Sequence, residues 1–454
     1  MHFNHRPYQK GETIAAIATP PGEGAISVIR ISGSAAYAIS AKIFSRPLPP
    51  SHTVRYGQIF SSTNDPIDSV LLLPMKSPRS YTGEDTVEIS CHGGSLITQR
   101  VLERILEAGA RPAQPGEFSF QAFMNNKLDL AQAEAVQLLI AAKSSLALQN
   151  AEQQLSGALS ETIASFQTQL TSIAAILEAW VDFPEEDLAF SPFDELIARL
   201  QSINSRMIHL RDTFHEGKLL HEGISLCLLG SPNVGKSSLM NALLGKNRAI
   251  VTDIAGTTRD LLEEELRLSN LHFRLIDTAG IRDTNELIEQ EGIRRSKSSM
   301  EQADLLLLLL DASRPLSSDD LSLLSSVPKH KTILVWNKID LAPPPPLSWD
   351  PQVSISAKNK LGLDTLRQTI DQFIWRKGPP SKEEIAITKQ RHHTALSNAI
   401  QSIHQVIQGL QQRLSAEFVA SDMRNALNEL GFIIGTNVSE DILSSIFSQF
   451  CLGK

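Results

Sequence analysis

A chain of 454 residues is too long for one hydrophobic core, and its length alone predicts about three domains. With 42% hydrophobic and 20% charged residues it has the composition of a soluble globular protein. A net charge of −8 excludes binding nucleic acid through the overall field, so such contacts require local basic patches. Cys91, Cys227 and Cys451 are too few and too scattered for a disulfide framework or a metal-binding cysteine cluster. The N-terminal residues lack the basic region and long apolar run of a signal peptide. The run Leu305 to Leu310 is too short to span a bilayer. Both features predict a cytoplasmic protein with no stable membrane association.

From about residue 10 to 125 short β-branched segments alternate with turn residues, as in Thr13 to Ala18, Ala25 to Ile31, Val70 to Leu73 and Thr86 to Ser90. This pattern predicts an α+β domain over 1–125. From Leu128 to Leu220 glycine almost disappears. Ile163, Phe166, Leu170, Ile173 and Leu177 recur at spacings of three and four, the apolar stripe of a long helix. Leu396, Ile400, Ile403, Ile407 and Leu410 repeat that signature. Two helical blocks flanking an α/β block predict one discontinuous helical domain, 126–221 and 378–454, with an α/β domain inserted at 222–377. The expected fold class is therefore multidomain α/β and α, and the inserted domain carries a mainly parallel sheet.

Within that insertion Gly230-Ser-Pro-Asn-Val-Gly-Lys-Ser237 follows the apolar segment Ile224 to Leu229 and opens a helical one at Ser238. The spacing G-x-x-x-x-G-K-S lets backbone N–H groups wrap a triphosphate, while Lys236 reaches phosphate and Ser237 reaches magnesium. Four further elements follow in order. Gly256-Thr-Thr-Arg-Asp260 offers the hydroxyls of Thr257 and Thr258 to magnesium and the γ-phosphate. In Asp277-Thr-Ala-Gly280, Asp277 can hold the metal's water shell and Gly280 can offer an N–H to the γ-phosphate; Thr278 and Ala279 lie between them. Asn337-Lys338-Ile-Asp340 supplies a carboxylate that can accept the N1 and N2 hydrogens of guanine. Ser356-Ala357-Lys358 presents a backbone N–H to the guanine carbonyl. Each piece alone is a common turn or surface sequence, but five in order predict guanine nucleotide binding.

A Ras-like enzyme orients the attacking water with a glutamine after D-T-A-G. Here that residue is Ile281, so another acid must serve, and Glu286, Glu289 and Glu291 are the candidates. Each is otherwise an ordinary solvated helix residue. Asn233 offers an amide oxygen toward the phosphates, where a monovalent cation could replace an arginine finger. Arg294-Arg-Ser-Lys297 could touch nucleic-acid phosphate, but a basic helix face is its default reading.

The flanks narrow the choice. Ala18-Thr-Pro-Pro-Gly22, Gly24 to Gly33, Tyr81-Thr-Gly-Glu-Asp85, Cys91-His-Gly-Gly94, Pro115-Gly-Glu-Phe118, Lys127-Leu-Asp-Leu130, Asp182 to Asp187 and the tail Phe450-Cys-Leu-Gly-Lys454 resemble the tRNA modification GTPase MnmE (TrmE) family along the whole chain. The resemblance implies a homodimer that works in a heterotetramer with the FAD-dependent protein MnmG on C5 of the tRNA wobble uridine. The carbon would come from 5-formyl- or 5,10-methylene-tetrahydrofolate held by Arg30, Glu88, Lys127 and Lys454. Two of those cations, Arg30 and Lys127, suit carboxylates; Glu88 suits pterin N–H groups. For the GTP-binding loops, with Val234, Gly235 and Ser238 beside Lys236, the resemblance implies Mg2+ on Ser237 and Thr258. It implies K+ on Asn233, Thr252, Ile254 and Thr257, with potassium-dependent pairing of two G domains, and selects Glu289 to position water.

Cys451 is a candidate nucleophile or base beside folate, a role that needs a lowered pKa. As a lipidation box the tail fits badly, and the bland reading is a packing cysteine after a helix at Ile442 to Phe450. Gln114, Gln121 and Asn126 depart from the residues common in the family and put folate affinity in question. A rival of another class is a regulatory GTPase switch in ribosome or RNA assembly, which would not need the N-terminal domain or the tail.

Overall fold

The β-branched segments near the N-terminus pair into one sheet, and the inserted α/β block builds a second. The computed structural model describes residues 12–182, 193–244, 265–268, 271–276, 300–375, 385–451 and 453. By their internal contacts, 1–140, 152–211 and 391–454 form one unit, and 141–151 and 212–390 form another.

In the first unit β1 (Ile14–Ile17), β2 (Ile26–Ser32), β3 (Arg55–Phe60), β4 (Pro66–Met75), β5 (Thr86–His92) and β6 (Arg111–Pro112) lie in the order β3-β4-β5-β2-β1-β6. Neighbours are antiparallel except β1 and β6. Ile29, Ile31, Val87 and Ile89 bury one sheet face with Val101 and Ile105, which belong to α2 (Ser95–Glu107), and with Ile39 and Ile43 of α1 (Ala36–Ile43). Strand side chains alternate, so Arg30 and Glu88, which stand between these apolar residues, project from the other face.

The helices of this unit are α3 (Glu117–Met124), α4 (Leu130–Ala141), α6 (Ala158–Asp182), α7 (Phe193–Asp212), α12 (Gln390–Gln411), α13 (Ala416–Ile434) and α14 (Glu440–Phe447); α5 is Ser145–Leu155. The stripe Ile163, Phe166, Leu170, Ile173 and Leu177 is buried along α6, which packs on α13. Each such side chain contributes about 1.5–3 kcal/mol when fully buried. The stripe Leu396, Ile400, Ile403, Ile407 and Leu410 is likewise buried on α12. The last helix ends at Phe447, short of the expected Phe450, yet Phe450 is still buried against Phe447.

One charged group joins α4 to α12 inside this core. Glu134 Oε2 lies 2.7 Å from Arg391 Nη2 and 2.9 Å from His392 Nε2. Burial pushes the Glu134 carboxyl up, but His392 and Arg391 outweigh it and hold the group at about 2.

The second unit holds β7 (Ile224–Leu229), β8 (Glu265–Leu268), β9 (Leu271–Ile276), β10 (Leu305–Asp311), β11 (Thr332–Asn337) and β12 (Gln352–Ser354), in the order β12-β11-β10-β7-β9-β8. All neighbours are parallel except β8 and β9. Every residue of β10 is buried. Leu305, Leu307 and Leu309 enter one core and Leu306, Leu308 and Leu310 the other, which is why the run is continuously apolar instead of alternating. The helices described here are α8 (Phe214–Glu222), α9 (Lys236–Leu244), α10 (Ser318–Ser326) and α11 (Leu363–Ile374). In a parallel sheet of this kind ligands bind beyond the carboxyl ends of the strands, and those of β7 and β11 carry the expected phosphate-loop and guanine motifs. Among the described residues no helix is long and apolar enough to cross a membrane.

Candidate functional site

The phosphate loop fills the passage from β7 to α9. Gly230 has φ +149, and a Cβ there would lie 2.5 Å from the Leu309 carbonyl oxygen of β10. Only glycine allows the loop to leave the sheet that closely. Asn233 stands at φ +61 and is exposed, a left-handed position that asparagine tolerates better than most residues. Val234 is fully buried and anchors the loop from below. Lys236 turns back over the loop, and its Nζ donates to the carbonyls of Gly230 at 2.7 Å and Ser231 at 3.2 Å. An ammonium held by backbone carbonyls at the start of a helix suits a polyphosphate, which can replace those carbonyls as acceptor. Ser237 is half-buried and Ser238 exposed one and two residues on.

The guanine side is attached to this loop by one residue. Asn337, at the end of β11 and 2% exposed, donates from Nδ2 to the Val234 carbonyl at 2.8 Å and accepts the Ala357 N–H on Oδ1 at 3.0 Å. A Cβ on Gly235 would fall 2.3 Å from that same Nδ2, so the second loop glycine makes room for Asn337. Three of the predicted segments therefore meet at Asn337. Lys338 adopts φ +66, and its Nζ donates to Asp311 Oδ2 at 2.6 Å. Burial raises the pKa of Asp311, but hydrogen bonds from Lys338 and Ser313 outweigh this and keep the carboxyl below the usual range. Asp340 and Lys358 are exposed, whereas Ser356 is buried and its Oγ accepts the Asn359 N–H at 3.2 Å.

Thr252, Ile254, Thr257, Thr258, Asp277, Thr278, Ala279, Gly280, Ile281, Glu286, Glu289, Glu291 and the basic cluster at 294–297 lie outside the described residues. Among the described residues no group of three His, Cys, Asp or Glu side chains could hold a metal ion. Sequence reasoning missed Ser231, Asp311 and Asp320. The S-x-x-D spacing of Ser317 and Asp320 was a readable capping signature. The contact of Asp320 with the phosphate loop, 89 residues away, had no local signal.

The first unit gathers another set. Arg30 and Glu88 are register partners on β2 and β5, so their side chains emerge side by side. Arg30 Nε and Nη2 donate to Glu88 Oε1 at 2.9 and 2.8 Å. The guanidinium also lies over the rings of Tyr81 (5.2 Å) and Phe118 (5.6 Å). Burial pushes the Tyr81 hydroxyl up in pKa, while its hydrogen bond with Ser119 and the charge of Arg30 pull the other way. Arg30 is thus already engaged, and an incoming carboxylate would share it with Glu88. Lys127 is exposed and donates to the Pro78 carbonyl at 3.2 Å.

The P-G-E-F motif organises the approach of the tail. Gly116 has φ +71, and a Cβ there would meet the Phe447 carbonyl oxygen at 2.3 Å. Glu117 accepts from Arg111 Nη2 at 2.6 Å and from the Gln114 N–H at 2.7 Å. The Cys451 carbonyl faces the Gly116 N–H at 3.4 Å, and Gly453 packs on Ile17 and Ala18 of the β1 end. Cys451 itself is exposed, and Lys454 lies outside the described residues. The departures have a physical reading here. Asn126 sits at φ +55, where glycine and asparagine are the tolerated residues. Gln121 is 2% exposed, a place where a neutral side chain avoids the cost of burying a charge.

Comparison with known proteins places the chain in a family. The family profile described as "MnmE helical domain" matches residues 130–451, and "GTP-binding protein TrmE N-terminus" matches 13–127. The tRNA modification GTPase MnmE of Protochlamydia amoebophila is 60% identical, covering 100% of both chains. That of Chlamydia caviae is 44% identical over 98% of this chain and 100% of its own. That of Clostridioides difficile is 41% identical over 98% and 99%. With such identity along its full length, and with both matched regions bracketing or containing the sites described above, this chain belongs to the tRNA modification GTPase MnmE family.

Proposed function

We propose that this chain is the GTP-hydrolysing component of a complex that builds an aminomethyl or carboxymethylaminomethyl group on C5 of the wobble uridine, position 34 of tRNA. The observation that carries the reading is the coexistence in one chain of two sites. One is a guanine-nucleotide loop system joined through Asn337. The other is an N-terminal face with Arg30 and Glu88 paired beside aromatic rings. A regulatory switch would need the first and not the second.

In the nucleotide site the N–H groups from Asn233 to Ser238 and the Lys236 ammonium hold phosphates. Asn337, Lys338 and Asp340 select guanine, and Ser356, Ala357 and Lys358 close over the base. Ser237 fits a magnesium ligand by its position at the start of α9, with Thr258 as the second hydroxyl; bound there, Mg2+ neutralises charge on the phosphates. Asn233, with Thr252, Ile254 and Thr257, would hold K+, which supplies the positive charge that an arginine finger otherwise brings. Asp277, Thr278, Ala279 and Gly280 contact the γ-phosphate side, and Glu289 orients the attacking water because Ile281 has no polar atom to do so. We assign G-domain pairing within a potassium-dependent homodimer as the event that completes this arrangement, with 222–377 as the paired domain.

In the N-terminal domain, 1–125, Glu88 accepts N–H groups of the pterin while Arg30 holds it oriented, and Lys127 and Lys454 meet the carboxylates. A bound 5-formyl- or 5,10-methylene-tetrahydrofolate supplies the one-carbon unit. Cys451, exposed on the tail, is the candidate nucleophile or base. The partners are tRNA and the FAD-dependent MnmG, and the setting is the cytoplasm. Nucleoside mass spectrometry of total tRNA from a deletion strain tests the whole reading. The C5-substituted wobble uridine should vanish and return on complementation, and an unchanged profile refutes the function.

A further inference from the structure

One buried carboxylate beside the phosphate loop has none of the tasks assigned so far. Asp320, on the first turn of α10, is 1% exposed. Its Oδ2 accepts the backbone N–H of Ser317 at 2.9 Å and the Ser317 hydroxyl at 2.8 Å. Ser317 Oγ accepts the Asp320 N–H in return, which completes a capping box. Those contacts account for one carboxylate oxygen and for the start of the helix. The other oxygen, Oδ1, accepts the hydroxyl of Ser231 at 2.5 Å, inside the phosphate loop. Capping alone does not require that second bond.

The chemistry of the neighbours extends the connection in both directions. The Ser231 carbonyl, with that of Gly230, accepts from Lys236, so a fixed Ser231 fixes the acceptors that hold the phosphate-binding ammonium. On the far side Arg314 Nη2 stands 3.5 Å from Asp320, and Arg314 Nε stands 3.8 Å from Asp311. Asp311 in turn takes Lys338. A continuous run of paired groups therefore leads from the phosphate loop to the lysine of the guanine motif. Burial raises the pKa of Asp320, but Ser231, Ser317 and Arg314 outweigh it, so the acceptor stays ionised.

We propose that Asp320 is a positioning residue for nucleotide binding, which acts through the Ser231 hydroxyl to hold the phosphate loop in its gripping shape. A buried, fully hydrogen-bonded carboxylate is a rigid anchor, and a bond to a charged acceptor is stronger than one between neutral groups. Removing it frees Ser231 and the two carbonyls beside Lys236 to rearrange, and nucleotide escapes faster.

The test uses the full chain with Ser231→Ala, Asp320→Ala and the double variant. Stopped-flow release of fluorescently labelled GDP gives the dissociation rate, and thermal melting without nucleotide reports stability. Ser231→Ala leaves the capping box whole, so it isolates the loop contact even if Asp320→Ala folds poorly. The expected result is release about tenfold faster for each single variant, the effect of one charge-assisted hydrogen bond. The double variant should release no faster than the faster single one, because both remove the same contact. Ser231→Ala releasing at the parent rate overturns the proposal, as does a double variant whose rate is the product of the two single effects. Asp320→Ala that melts early while Ser231→Ala releases normally would reduce Asp320 to a helix cap and refute the positioning role.

Discussion

Replacing Asn337 by alanine perturbs the point where the phosphate loop, the guanine motif and the Ser356–Lys358 loop meet. The side chain is 2% exposed and makes two hydrogen bonds, to the Val234 carbonyl at 2.8 Å and from the Ala357 N–H at 3.0 Å. Alanine strands both partners in buried surroundings, since Val234 is fully buried and Ala357 is 5% exposed. A buried group left without its partner costs about 1–3 kcal/mol, so the pair costs about 2–6 kcal/mol, less where water enters the vacated space. Urea unfolding of the nucleotide-free protein measures this through tryptophan fluorescence, because Trp336, Trp349 and Trp375 all lie in the second unit. Affinity for GDP should fall about a hundredfold or more, since a loss of about 2.7 kcal/mol has that size. Asn337→Asp is the sharper variant. It keeps an acceptor for Ala357 but sets a carboxylate oxygen against the Val234 carbonyl, so it should resemble alanine. An Asn337→Asp protein with parent stability and affinity would refute the claim that the bond to Val234 holds the loops together.

Other outcomes follow from the same arguments. GTP turnover should rise sharply when potassium replaces sodium, and equal initial rates in the two salts would remove the cation role of Asn233. Glu289→Ala should abolish most hydrolysis in single-turnover assays while nucleotide affinity stays near that of the parent; a lost affinity would make Glu289 structural. The Glu134 carboxyl, held at about 2 against an ordinary 4.5, contributes stability that is fully present above pH 4.5 and is lost as the pH falls through 4.5 toward 2. The gap of about 2.5 pKa units, at about 1.36 kcal/mol each, amounts to about 3 kcal/mol. Thermal melting from pH 6 to pH 3 should therefore lose about 2 kcal/mol of that increment in the parent, the rest going only below pH 3, and not in Glu134→Gln, which starts less stable because Arg391 and His392 lose the carboxylate's charge. Parallel melting curves for the two proteins would refute it.

Much of the architecture was legible in local pattern. The stripes on α6 and α12 and the continuous leucine run of β10 state how much of each element must leave water, and the buried residues match them. The motifs of the nucleotide site were legible for a similar reason. A glycine at 230 and another at 235 are imposed by close backbone approach and by the space Asn337 needs. The departure at Asn126, which from sequence put folate affinity in question, stands at φ +55, where asparagine is among the tolerated residues.

What the linear order could not reveal is partnership. Arg30 and Glu88 read as two separate charges, and only the register of β2 against β5 makes them a pair that shares one acceptor oxygen. Asp320 carried no sequence signal beyond a helix cap, and only folding brings it to Ser231. Composition, periodicity and motif spacing depend on a residue and its near neighbours, so the sequence by itself determined the elements, the fold class and the identity of the nucleotide. Which charges neutralise one another depends on strand register and on contacts across scores of residues, and those are properties of the tertiary structure alone.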